Sequence, residues 1–217
     1  MGGMAVTRNY FFDMGGVLMD IDPNLTINAL SFFLKNEPSD NGVLEAKDLF
    51  GVGDNELMSH YQDGSAGTDD FLATIMPLCQ RDVSREQILQ AWDAMLIDIP
   101  QERIDKLLQL REKGFGVYLL SNINEEHLRW TKERLLKLGY TVDDIFDKAF
   151  FSCEMGCSKP DSRIYIKAIE QSGVNPSETL YIDDMQVNID AGHSFGLQTL
   201  CGHWDDFVRT ILTSRLL

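Results

Sequence analysis

The chain has 217 residues, 44% hydrophobic and 24% charged, a balance that suits one sizeable globular domain or a domain with an insertion. Its net charge of −15 argues against DNA, RNA or an anionic membrane as partner, because those need basic patches, and means that an anionic substrate would need a cation at its site. There are four cysteines (Cys79, Cys153, Cys157 and Cys201), no apolar signal core at the start and no apolar run of membrane-spanning length, so a reduced, cytoplasmic protein is expected.

The first strand is expected at "YFFD", an apolar run that ends on Asp13, with Gly15 and Gly16 close behind. Residues from about 21 to 97 then show helical spacing and loop signals but no convincing strand. "PNLTINALSFFLK" and "SREQILQAWDAML" have the spacing of helices, and "YQDGSAGTDDFLATI" reads as a loop entering a helix capped by Thr68 or Asp69. Four further apolar runs follow: "GVYLLSN" ending at Asn122, "KAFFS" at Ser152, "TLYIDD" at Asp184 and "LQTLC" at Cys201. They do not alternate with polar residues, which predicts parallel strands buried on both faces. Between them lie helical segments. One carries Ile104, Leu107, Leu108 and Leu110 and stops at Gly114. A second is capped by Asn124 and stops at Gly139, a third has Pro160 near its first turn and Gly173 at its end, and a fourth closes at Gly196. Cys153 and Cys157 flank a turn-like "CEMGC", but no second pair completes a zinc set.

This alternation predicts an α/β fold, a Rossmann-like doubly wound parallel sheet with a core of residues 1–20 and 98–217 and an all-helical insertion over 21–97; with a strand order of 3-2-1-4-5, the switch falls between the first and fourth strands. In such a sheet ligands bind beyond the strand C-termini, where the strand order reverses. That edge would gather Asp13, Ser121, Asn122, Asp183 and Asp184. Each alone has a bland explanation as a turn or capping residue, and Lys159 before a proline is usually just exposed. Their occurrence at the ends of successive buried strands is much harder to obtain by chance. Carboxylates converging there would repel one another unless a hard cation lay among them, and oxygen ligands with room for water suit Mg²⁺.

With "FFDMGGVL", "VYLLSN", "GCSKPDSRIY" and "LYIDDMQVNIDAG" in this order, the sequence resembles the haloacid dehalogenase-like hydrolase superfamily over nearly the whole chain. The resemblance implies that Asp13 attacks phosphorus and forms an aspartyl-phosphate, which water then hydrolyses. Asp13, the carbonyl of Gly15 and Asp184 would hold Mg²⁺. Ser121 and Asn122 would bind the phosphate or shape its site, and Lys159 would offset the charge on Asp13 and on the phosphate. Asp183 and Asn188 would support the site from behind. Most phosphatases of this superfamily carry a second aspartate two residues after the nucleophile, as general acid and base. Here that residue is Gly15.

Three explanations are open: an easy leaving group, as in the similar α-D-glucose-1-phosphate phosphatases; a substitute acid such as Asp20 or Asp22; or ligand binding without turnover. For Asp20 and Asp22 a solvated loop or a helix cap at Pro23 is the favoured explanation. A haloacid dehalogenase is a further alternative, opposed by the retained Asp183–Asp184 pair, and a phosphomutase would need the missing aspartate. The expected function is Mg²⁺-dependent hydrolysis of a small phosphorylated metabolite, a sugar phosphate such as a hexose 1-phosphate, by a monomer or homodimer. His60, Tyr61, Gln62, Trp92 and Asp93 are candidate cap contacts. The four histidines, His60, His127, His193 and His203, form no cluster in the sequence and are taken as surface or core.

Overall fold

Three consecutive aromatic side chains define the centre of the sheet. Tyr10, Phe11 and Phe12 of β1 (Asn9–Phe12) are all fully buried. Strand side chains alternate in direction, so Tyr10 and Phe12 enter one core and Phe11 the other. The computed structural model describes residues 6–34, 56–80 and 82–213. β1 pairs in parallel with β4 (Gly116–Ser121) and β6 (Thr179–Asp183), and these pair in parallel with β5 (Lys148–Phe151) and β7 (Gln198–Cys201). The order β5-β4-β1-β6-β7 is the 3-2-1-4-5 order expected for the five predicted strands.

Helices cover both faces. α5 (Gln101–Glu112), α6 (Glu125–Lys137) and α11 (Trp204–Thr213) bring Ile104, Leu107, Leu135 and Phe207 to the Tyr10–Phe12 face. α9 (Ser162–Ser172) and α10 (Gln186–Ser194) bring Ile164, Tyr165 and Ile189 to the Phe11 face. The short helices α7 (Val142–Ile145) and α8 (Ser152–Met155) lie before and after β5. Each large side chain buried in these layers contributes about 1.5–3 kcal/mol relative to exposure. α11 is not among the predicted elements. Pro160 lies just before the α9 cap, Asp161, and not in the first turn of the helix as expected.

The inserted segment forms a core of its own. α1 (Pro23–Phe33), α2 (Glu56–Asp63), α3 (Thr68–Ile75) and α4 (Arg85–Asp93) bury Leu30, Tyr61, Phe71, Ile75, Ile88 and Trp92 together. Phe71 packs between Tyr61 and Trp92, with ring centroids 4.9 and 4.6 Å away. Residues 35–55, part of the predicted cap, lie outside the described residues. Two expectations for this segment are corrected. First, it is not free of strands: β2 (Asp20–Ile21) and β3 (Leu96–Asp98) form an antiparallel pair where the chain leaves and re-enters the sheet domain. Pieces of two and three residues are too short to carry a periodic signal. Second, α3 is capped by Gly67, with Thr68 already helical. Thr68 instead gives its N–H and its hydroxyl to Glu125 Oε2, both at 2.9 Å, and Asp69 pairs with Arg85 at the surface. Asp22 is the α1 cap, accepting the Asn24 N–H at 3.0 Å, and Asp20 pairs with Arg103 at 2.7 Å.

The inserted helices meet the sheet domain through polar groups. Ser152 donates to the Gln62 carbonyl at 2.6 Å, and the His127 ring stacks on Trp92 at 5.0 Å between centroids. Beside this stack Asp93 faces Glu126, Arg129 and His127, with Arg129 at 3.4 Å and His127 Nε2 at 3.9 Å. Burial, followed by the like charge of Glu126, pushes the Asp93 carboxyl up to about 8 against the opposing pull of Arg129.

Two stability predictions follow from these contacts. Thr26 Oγ1 donates to the Trp92 carbonyl at 2.7 Å and accepts the Met95 N–H at 2.9 Å in a fully buried position. Thr26→Val keeps the shape and orphans the Met95 N–H, so it should cost about 1–3 kcal/mol in urea denaturation with an unchanged slope. The second concerns Asp93, whose value in the folded protein lies above its ordinary one. Its stabilising contribution is complete below the unfolded value of about 4 and is lost as the pH rises through 8. Asp93→Asn should therefore be more stable than the wild-type protein at pH 9, with the advantage shrinking as the pH falls toward 4.

Candidate active site

β1, β4 and β6 end side by side, and each hands a polar residue to the same sheet edge: Asp13, Ser121 and Asp183. Asp13 continues the strand direction, with its N–H on the Ile182 carbonyl at 2.9 Å. Its Oδ1 accepts the Met14 N–H at 2.7 Å and Lys159 Nζ at 2.9 Å, while Oδ2 has no hydrogen-bond partner among the described residues. Burial raises the Asp13 carboxyl to about 6, Lys159 pulls it down and Asp183 pushes it up.

Lys159 is the buried cation of the site, with a side chain that is 0% exposed. Its three N–H donors are matched by the Leu120 carbonyl at 2.9 Å, Asp183 Oδ2 at 2.6 Å and Asp13 Oδ1 at 2.9 Å. Burial works against the charged ammonium, but the two carboxylates hold its pKa above the ordinary lysine value. Its backbone is clamped by Asn122, whose Oδ1 accepts the Lys159 N–H at 2.7 Å and whose Nδ2 donates to the Lys159 carbonyl at 2.8 Å.

Asp183 is fully buried and fully engaged. Its Oδ2 accepts from Lys159, Tyr181 and Asn188, and its Oδ1 from the Met185 N–H at 2.9 Å and Asn188 Nδ2 at 3.0 Å. Burial and the neighbouring Asp183 charge raise the Tyr181 hydroxyl far above its ordinary value, so the phenol stays protonated and donates. Asp184 differs. It is half-buried, and burial and the neighbouring Asp183 charge raise its carboxyl above the ordinary aspartate range, opposed by a hydrogen bond from its own backbone N–H. It lies against Gly16, whose φ is +73° and where an added Cβ would sit 2.5 Å from Asp184 Oδ2. Only glycine satisfies both conditions there. Gly15 has no such backbone requirement, and a Cβ there would face Ile21 Cδ1 at 3.3 Å.

A cavity of about 400 Å³ opens over this edge, between the sheet domain and the inserted helices. Asp13, Gly15, Ser121, Asn122, Lys159 and Asp184 line it, as does Asn188, while Asp183 lies behind them. Of the candidate cap contacts, Gln62 and Trp92 line the cavity. Tyr61 is buried among the inserted helices, His60 is exposed, and Asp93 lies at the Glu126–Arg129 junction. Asp20 and Asp22 do not line the cavity, so neither is placed as a substitute acid. His193 and His203 are exposed, the latter with Nδ1 at 2.7 Å from the Gly16 carbonyl. His127, expected at the surface or in the core, lines the cavity. The one sequence signal for it is its place in the first turn of the helix after β4, which starts at the same sheet edge.

One carboxylate oxygen from each of Asp13, Asp183 and Asp184 can lie within 4.8 Å of the others. All are hard oxygen donors, and the cluster, with Asp184 half-buried at the cavity, fits a divalent cation such as Mg²⁺.

The pattern of the haloacid dehalogenase-like hydrolases matches residues 7–196. A D-ribitol-5-phosphate phosphatase of Bacteroides thetaiotaomicron is 32% identical over 193 residues, covering 88% of this chain and 90% of that one. A HAD family enzyme of the same organism, solved as a complex with magnesium and inorganic phosphate, superposes with a TM-score of 0.78 at 31% identity, over 90% of this chain and 93% of the other. A HAD-like hydrolase structure from Porphyromonas gingivalis gives a TM-score of 0.82 at 28% identity, over 96% of this chain and 98% of the other. Sequence pattern, fold and relatives agree, and the chain belongs to the haloacid dehalogenase-like hydrolase family.

Proposed function

We propose that this protein is a Mg²⁺-dependent phosphatase of small phosphorylated metabolites, sugar or sugar-alcohol phosphates, acting through an aspartyl-phosphate on Asp13. The observation that carries this is the state of the Asp13 carboxylate. One oxygen is anchored by Lys159 and the Met14 N–H, and the other has no partner among the described residues and is open to phosphorus. The substrate class is supported by the similarity to the D-ribitol-5-phosphate phosphatase, and the metal by the relative solved with magnesium and phosphate.

In this mechanism Lys159 keeps Asp13 ionised against its burial. The Asp13 oxygen forms a bond to phosphorus as the bond to the substrate alcohol oxygen breaks. Ser121, buried at the cavity wall with no hydrogen-bond partner for its hydroxyl among the described residues, donates to a phosphate oxygen. Asp13, Asp184 and the Gly15 carbonyl would hold Mg²⁺, which neutralises phosphate charge when bound. Asp183 and Asn188 hold Lys159 and the strand end in place. Gly15 supplies no proton, so protonation of the leaving alcohol falls to water or to the substrate. General acid–base help is typically worth ~10²–10⁴-fold, which makes slow turnover of poor leaving groups an expected property. The core of residues 1–20 and 98–217 and the cap of 21–97 are the working units of the proposal, joined at the β2–β3 pair.

Phosphate release from hexose 1- and 6-phosphates and D-ribitol 5-phosphate should require Mg²⁺. It should fall by on the order of 10³-fold or more in Asp13→Asn. No release from any ester would overturn the phosphatase proposal in favour of a protein that binds phosphorylated ligands without turnover. Halide release that survives chelation would favour a dehalogenase. A separate expectation concerns Lys159→Met, which leaves two buried carboxylates without their cation. It should destabilise the fold by about 3–5 kcal/mol at pH 8, and by less at pH 5 as the carboxyls take up protons, as measured by urea denaturation.

A further inference from the structure

Resting on the phosphatase proposal, we infer that His127 is a specificity-determining residue, its Nδ1 accepting a hydrogen bond from a hydroxyl of the substrate's leaving group. The inference starts from the other ring nitrogen. His127 Nε2 lies 3.3 Å from the Trp92 carbonyl oxygen. A carbonyl can only accept, so Nε2 carries the hydrogen. In a neutral ring Nδ1 is then a bare acceptor. The ring is neutral because burial pushes its pKa down to about 4.

The ring cannot turn to hide that nitrogen. It stacks on the Trp92 indole with an interplanar angle of 18°, and Trp92 is buried among the inserted helices. The His127 side chain is only 9% exposed, yet Nδ1 has no hydrogen-bond partner among the described residues. An acceptor without a donor among the described residues, on a residue that lines a ligand-sized cavity, is satisfied when a donor arrives there. The residue lines the same cavity as Asp13. The cavity wall mixes apolar side chains such as Met14, Met19, Ile21 and Leu96 with the amides of Gln62, Asn124 and Asn188, and His127 adds an imidazole acceptor to them. An acceptor there selects a ligand with a donor, and a polyol chain or a sugar supplies hydroxyls. A site built to bond a hydroxyl discriminates against an analogue that lacks it.

The test compares D-ribitol 5-phosphate with phenyl phosphate, which has no hydroxyl outside the phosphate, in wild-type protein, His127→Phe and His127→Asn. Phe preserves the stack and removes the acceptor. Asn keeps an acceptor at the δ position. The expected result is a KM for ribitol phosphate raised about three- to tenfold in His127→Phe, with kcat within about twofold. The KM for phenyl phosphate should stay unchanged, and Asn should recover part of the loss. Equal losses on both esters would mark a structural role and overturn the inference, as would no change on either. Absence of turnover of both esters by the wild-type protein would overturn the phosphatase proposal and this inference with it. A measurement on the unmutated protein stands apart from any folding defect: the ¹⁵N shifts of the His127 ring should report the Nε2–H tautomer at pH 7, and an Nδ1–H tautomer would overturn the inference.

Discussion

An ammonium group buried between two carboxylates is the constraint on which the site depends. Lys159 Nζ has no contact with water and touches Asp13 and Asp183. An isolated charge in that position would be untenable, and three close charges are tolerable when the ammonium and the fully buried carboxylate have their donors and acceptors filled. The surrounding residues do that filling. The Leu120 carbonyl takes the third N–H of Lys159, Asn122 clamps its backbone at both polar groups, and Tyr181 and Asn188 complete Asp183. The consequence for chemistry is that one oxygen of Asp13 is fixed in space while the other remains available.

The two glycines after Asp13 answer to different demands. Gly16 is required by the fold, since its left-handed backbone and the Asp184 carboxylate leave no room for a Cβ. Gly15 is under no such compulsion, and a modest shift of Ile21 would admit a side chain. The absence of an acid there is thus a feature of the chemistry and not of the backbone. Under the proposed mechanism it would shift the burden of the leaving group onto the substrate, so groups that grip the substrate away from the phosphate would matter more. Binding energy gained there can hold the ester in position for attack.

The inserted helices supply part of the cavity wall. Trp92 belongs to their core and at the same time stacks on His127 of the sheet domain. Thr68 reaches Glu125 at the head of the helix that carries His127. The wall of the cavity facing the carboxylates is therefore built from both units. Its shape depends on polar contacts at a junction where Asp93 and Glu126 press two acids together beside Arg129. Contacts of that kind hold a position without the large apolar burial that would make it permanent.

Much of this was legible in the chain. Five apolar runs specify parallel strands and polar residues at the strand ends specify the working edge, because strand period is a local property of a few consecutive residues; β7 departs from the expected burial on both faces, since it forms a sheet edge and stays partly exposed. Asn124 and Gly173 mark helix ends for equally local reasons. The β2–β3 pair was not legible, since so short a ladder exists only by virtue of its partner. α11 was passed over although its apolar residues close one face of the sheet. Lys159, in a context that usually means exposure, is buried because two carboxylates distant in sequence surround it. His127 gives no sign of its surroundings in sequence, because its tautomer is set by a carbonyl 35 residues away. The sequence by itself determined which residues reach the sheet edge. Only the tertiary structure decided which of their polar atoms are spent on one another and which are left for a ligand, because hydrogen-bond saturation is a property of the assembled site.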